Sequence, residues 1–150
     1  YTLSLHDALP IYMSEYEIWS LTYSNGIGLS IGFAAMSFLL WVGFRLAKGA
    51  ADTGANLISK IVVLIFNGCI YMGLLTNMAF GRFNFDNTAG QLSELQTGGG
   101  SLTTASQGFV LWRDVSGAPV FSLIPDLVPG IFVLSAALVV IFTLFIKKND

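Results

Sequence analysis

Three long apolar runs alternate with polar stretches. The middle run, residues 61–80 (IVVLIFNGCIYMGLLTNMAF), carries no charge and is dominated by Ile, Val, Leu, Phe and Met. A helix of about 20 residues, rising about 1.5 Å per residue, crosses the roughly 30 Å hydrocarbon core of a bilayer. Ten of its residues are Leu, Ile, Val or Phe. At about −0.3 to −0.6 kcal/mol each, they favour insertion by roughly 3 to 6 kcal/mol at most. Lys60 and Arg82 bound it. The first run, 27–47 (IGLSIGFAAMSFLLWVGFRLA), is uncharged until Arg45. The third, 128–146 (VPGIFVLSAALVVIFTLFI), has only Ser135 and Thr143 as polar residues. Asp126 and Pro129 suit its first turn, because an acid complements the helix dipole there and proline loses no needed donor. The pattern predicts an all-α membrane protein with three transmembrane helices.

The stretches between the runs predict the rest. Residues 13–26 (MSEYEIWSLTYSNG) mix acids with Tyr and Trp, a composition suited to the headgroup level. Residues 48–60 are a short polar connection. Residues 81–127 form a long extracytoplasmic loop. Its first half is rich in Gly, Ser, Thr, Asn and Gln, flexible around 98–100 and with a short helical turn over 91–96. Residues 109–124 predict two short β-prone runs about a turn at 115–118, a β-hairpin needing the membrane surface or a partner to cover it. Residues 147–150 are a short tail.

Charge sets the orientation. Arg45, Lys48, Lys60, Lys147 and Lys148 fall on one side of three crossings, and only Arg82 and Arg113 on the other. The positive-inside rule then puts the N-terminus outside, 48–60 inside, the long loop outside and the C-terminus in the cytoplasm, as in a bacterial inner membrane.

Composition agrees. The chain is 54% hydrophobic and 11% charged, against about 25% charged in ordinary soluble domains. A net charge of −2 offers no polybasic stripe, so no nucleic acid is expected as a partner. The single cysteine, Cys69, allows no intramolecular disulfide and no cysteine-based metal site. Residues 3–11, LSLHDALPI, resemble the translated read-through of a sequencing-library adapter, and the natural protein is expected to start at Met13. The only histidine, His6, lies in that stretch, so haem ligation, a His-bound metal and an imidazole relay are not expected.

Few residues carry candidate roles. Gly28 and Gly32 form a GxxxG pair, flanked by Ser24 and Ala35, where two helices can approach closely. Asn67 lies near the middle of its span. It is expected to make an interhelical hydrogen bond worth about 0.6 kcal/mol, or else to line a polar path, with Tyr71 one turn on. Asn84, Asp86 and Asn87 carry cation-binding oxygens but lack the rest of a calcium loop. There is no Walker A loop, no helix-opening GxGxxG, no HExxH and no Ser–His pair. No charged residue sits at mid-span, where ion-coupled carriers place one. No catalytic residue, metal or cofactor is expected, and the protein is not expected to be an enzyme.

The expected role is that of a non-catalytic accessory subunit or assembly factor of a larger membrane complex. Its partners would be the lipid bilayer and other membrane subunits or copies of itself. One alternative is a self-assembling pore: three spans, N-terminus out, with a basic C-terminus, resemble phage holins in topology, though the long outer loop departs from them. A further alternative is a small oligomeric transporter or sensor.

Overall fold

The structure, a computed structural model, describes residues 13–115 and 117–146. The adapter-like stretch with His6, as well as Ser116, Lys147 and Lys148, lies outside the described residues. There are four helices, α1 (Glu15–Asp52), α2 (Leu57–Thr97), α3 (Thr104–Arg113) and α4 (Leu127–Phe145). Among the described residues there is no strand. Three of the helices, α1, α2 and α4, are long and apolar enough to cross a membrane.

Local chemistry fixes the helix ends. α1 opens on a capping box: Ser14 Oγ accepts from the Glu17 N–H at 3.3 Å, and Glu17 Oε2 accepts from the Ser14 N–H at 2.7 Å. It closes at Gly54, whose φ of +62° favours glycine. There the Gly54 N–H donates to Ala51 O at 3.1 Å and the Ala55 N–H to Ala50 O at 2.9 Å, a Schellman motif. Asn56 Oδ1 then caps α2 by accepting from the Ser59 N–H at 2.9 Å. α2 ends in the same way at Gly99, with φ of +91°. Thr103 caps α3, accepting from the Ser106 N–H at 3.3 Å.

The chain divides into two compact units. Unit 1 holds 13–26 and Phe83–Val120. Its core is Ile18, Leu92 and Leu102, with Trp19, Leu95 and Phe109 packed against it. Unit 2 holds Ile27–Arg82 and 121–146. One cluster there joins Leu40, Ile70, Leu74 and Ala136, and another joins Ala47, Val140 and Leu144. The outward faces of unit 2 are apolar as well, with Ile31, Phe38, Ile65, Ile131, Leu134 and Phe142 exposed. A soluble monomer seldom exposes so continuous an apolar surface, whereas a bilayer solvates it.

The structure changes three expectations. The helices outrun the predicted spans: 15–26 opens α1, and the 48–60 connection shrinks to 53–56. The first half of the long loop, through Thr97, is the continuation of α2. Nothing before the 98–100 glycines breaks that helix, and Thr88, Leu92 and Leu95 turn one stripe inward. The expected β-hairpin over 109–124 is absent. Phe109–Arg113 is the second half of α3, and the residues described from 114 to 124 form no strand. The Thr103 cap, the burial of Ser106 and the partial burial of Phe109 and Val110 on the same face favour helix over the β-propensity of Phe, Val and Trp, a preference that follows context. Pro119 further removes a ladder donor.

Candidate functional site

Within unit 2 the polar groups of the spans pair with glycines and with backbone. Asn67 has no exposed surface. Its Nδ2 donates to Val63 O at 2.9 Å, inside its own helix. Its Oδ1 has no N–H or O–H donor among the described residues; it faces Gly43, and a Cβ on Gly43 would overlap it. The contact of Asn67 across the helices is therefore steric, not the conventional hydrogen bond expected.

The hydrogen bonds between spans come from other residues. Asn77 Nδ2 donates to Leu29 O at 3.1 Å, and Tyr71 Oη to Ala136 O at 3.1 Å. Gly32 lies under Asn77, where an added Cβ would come within 2.7 Å of Nδ2. Gly28, the other half of the GxxxG pair, has nothing within 4 Å of where its Cβ would be. Gly43 thus matters more than Gly28. It follows Gly32 by eleven residues, about three helical turns, so the two share a face.

Arg82 is the polar anchor at one end of unit 2. Nη1 donates to Asp126 Oδ1 at 2.9 Å, and Nη2 donates to Ser122 O at 2.8 Å and Ile124 O at 2.9 Å. The fork ties α2 to the segment that leads into α4. The cavity beside it, about 40 Å³, is far below the roughly 300–1,000 Å³ of ligand sites. At the other end, Arg45 lies 5.6 Å from the Trp41 ring centroid, Lys60 lies 5.5 Å from that of Phe145, and Lys48 pairs with Asp52 at 3.0 Å.

Unit 1 is a polar frame that holds α3. The Glu15 carboxylate accepts from the Thr103 N–H at 2.9 Å, from Thr103 Oγ1 at 2.6 Å and from Ser106 Oγ. The Ser106 hydroxyl hydrogen bond, then those from Thr103, hold the Glu15 carboxyl below the ordinary glutamate value of 4.5. Trp19 Nε1 donates to Ser106 Oγ at 2.9 Å. At the other end of α3, Arg113 grips Asp86 with Nε at 3.0 Å and with Nη2; the two side chains are 19% and 20% exposed. Asn84 donates to Thr22 O at 3.2 Å and accepts from Asn25 Nδ2 at 3.1 Å. Asn84 Oδ1 and Asp86 Oδ1, considered for a cation, are thus engaged, and no cluster of three His, Cys, Asp or Glu occurs among the described residues.

Held this way, α3 presents Leu111 at 80% and Trp112 at 70% exposure. The Arg113 guanidinium lies 5.3 Å from the Trp112 ring centroid. Sequence reasoning expected this segment to need the membrane surface or a partner to cover it, but read it as strand and did not single out Trp112. It also passed over Gly28-Leu29-Ser30-Ile31-Gly32, which spells the G-x-S-x-G of hydrolase nucleophile elbows. That motif needs a sharp strand-to-helix turn and a histidine. Here it lies inside α1, and no histidine occurs among the described residues. Comparison with protein-family models, with curated proteins and with solved structures finds no match.

Proposed function

We propose that this chain is a small non-catalytic subunit or assembly factor of a larger membrane complex. It sits in a bacterial inner membrane, with its N-terminus and α3 outside and residues 53–56 in the cytoplasm. The observation that carries this reading is the exposed Leu111–Trp112 pair on a helix fixed at both ends, by Glu15 and by Asp86. Trp and Arg are enriched among residues that dominate protein interfaces, and a fixed mount lowers the entropy lost on docking. The burial of Asn67 and the internal bonds of Asn77 and Tyr71 favour this role over a polar-lined pore, whose lining would face a lumen.

The test is mild extraction from native membranes, native gel electrophoresis and mass spectrometry of the band. Co-migration with a defined set of different proteins is expected. Trp112→Ala should weaken it by about 30-fold or more, the loss of roughly 2 kcal/mol expected of a central interface tryptophan. A chain that migrates alone or only with copies of itself would overturn the reading, as would co-migration that Trp112→Ala leaves unchanged.

A further inference from the structure

At the end of unit 2 opposite Arg82, the end of α1, the start of α2 and the end of α4 enclose an open groove of about 1190 Å³. Its walls are apolar, with Phe44, Val139 and Phe142 among them, and Lys48, Asp52 and Lys60 stand at its rim. The charges are unequal. Lys48 is paired with Asp52 at 3.0 Å, but Lys60 has no carboxylate within 4 Å among the described residues and rests against the Phe145 ring. Lys60 also lies in the first turn of α2, where the helix dipole is already positive and a cation is disfavoured unless an anion neutralises it. Among the described residues, two lysines and one aspartate leave the rim one positive charge in excess.

We infer that this groove binds an anionic phospholipid carrying one net negative charge, with its phosphate at Lys60 and Lys48 and an acyl chain along Phe44, Val139 and Phe142. The groove lies where three span ends meet, so both parts of such a lipid are at hand once the helices cross a bilayer. A groove larger than the roughly 300–1,000 Å³ of small-molecule sites suits an occupant of this size. The inference rests on the three crossings and not on the subunit role.

Native mass spectrometry of the full chain, released from detergent with phosphatidylglycerol or phosphatidylcholine added, tests it. Phosphatidylglycerol should be retained preferentially. Lys60→Gln and Lys48→Gln should each lower its retention about fivefold, the effect of one basic residue near an anionic surface, while Lys60→Arg should keep it. A melting curve without lipid identifies a variant that fails to fold, and the other lysine variant then decides. Equal retention of the two lipids, or phosphatidylglycerol binding unchanged in the folded glutamine variants, would overturn the inference.

Discussion

Asn67 and Gly43 form a close contact between α1 and α2. A methyl group on Gly43 would overlap Asn67 Oδ1, and Asn67 is fully buried. Gly43→Ala should therefore lower stability by about 1–3 kcal/mol, the range for overpacking a filled site. In an Asn67→Ala background that cost should largely vanish, because the two residues share one space. Gly28→Ala, in open space, should change stability by less than about 0.5 kcal/mol. Thermal unfolding of the four variants in detergent measures all of this, and equal costs at Gly28 and Gly43 would refute the contact. Asn67 was legible from sequence because an amide in an apolar run is conspicuous. Its partner was not, because small residues mark possible close approaches without fixing the rotation of the helix. The same limit made Gly28 and Gly32 look alike, although only Gly32 meets a neighbour.

Among the elements, α2 and α3 depart furthest from expectation. α2 is 41 residues long, about 60 Å at 1.5 Å per residue, twice a hydrocarbon core. Its apolar half was plain in the sequence. Its polar half resembled a loop because composition outweighed period, although Thr88, Leu92 and Leu95 keep a helical spacing. The helical form of α3 was hidden because Phe109, Val110 and Trp112 suit strands, and the Glu15 carboxylate that anchors Thr103 and Ser106 comes from 88 and 91 residues away. That carboxylate should make unit 1 acid-sensitive. A carboxyl whose folded pKa is depressed stabilises the fold in full above its unfolded value, near 4.5, and loses that contribution as pH falls through the lower folded value. Glu17, held down by Ser14, acts in the same direction. Trp19 fluorescence, which senses the Ser106 bond, should therefore report loosening below pH 4.5. Glu15→Gln should reduce that pH dependence without abolishing it, since Glu17 remains. An unaltered acid profile in Glu15→Gln would show that the carboxylate does not support α3.

For the whole molecule, three helices that can cross a membrane were legible from apolar run length alone, and the basic residues of α1 and α2 support one orientation. Arg45, Lys48 and Lys60 cluster about the 53–56 connection, and α3 belongs to the segment placed outside. The direct test is cysteine labelling in intact cells. With Cys69→Ala as background, Ser101→Cys and Thr53→Cys each place one thiol at an exposed position on opposite sides of the proposed topology. A membrane-impermeant maleimide should label Ser101→Cys in intact cells and Thr53→Cys only after permeabilisation. Labelling of both positions in intact cells, or of Thr53→Cys alone, would contradict the three-crossing arrangement with α3 outside.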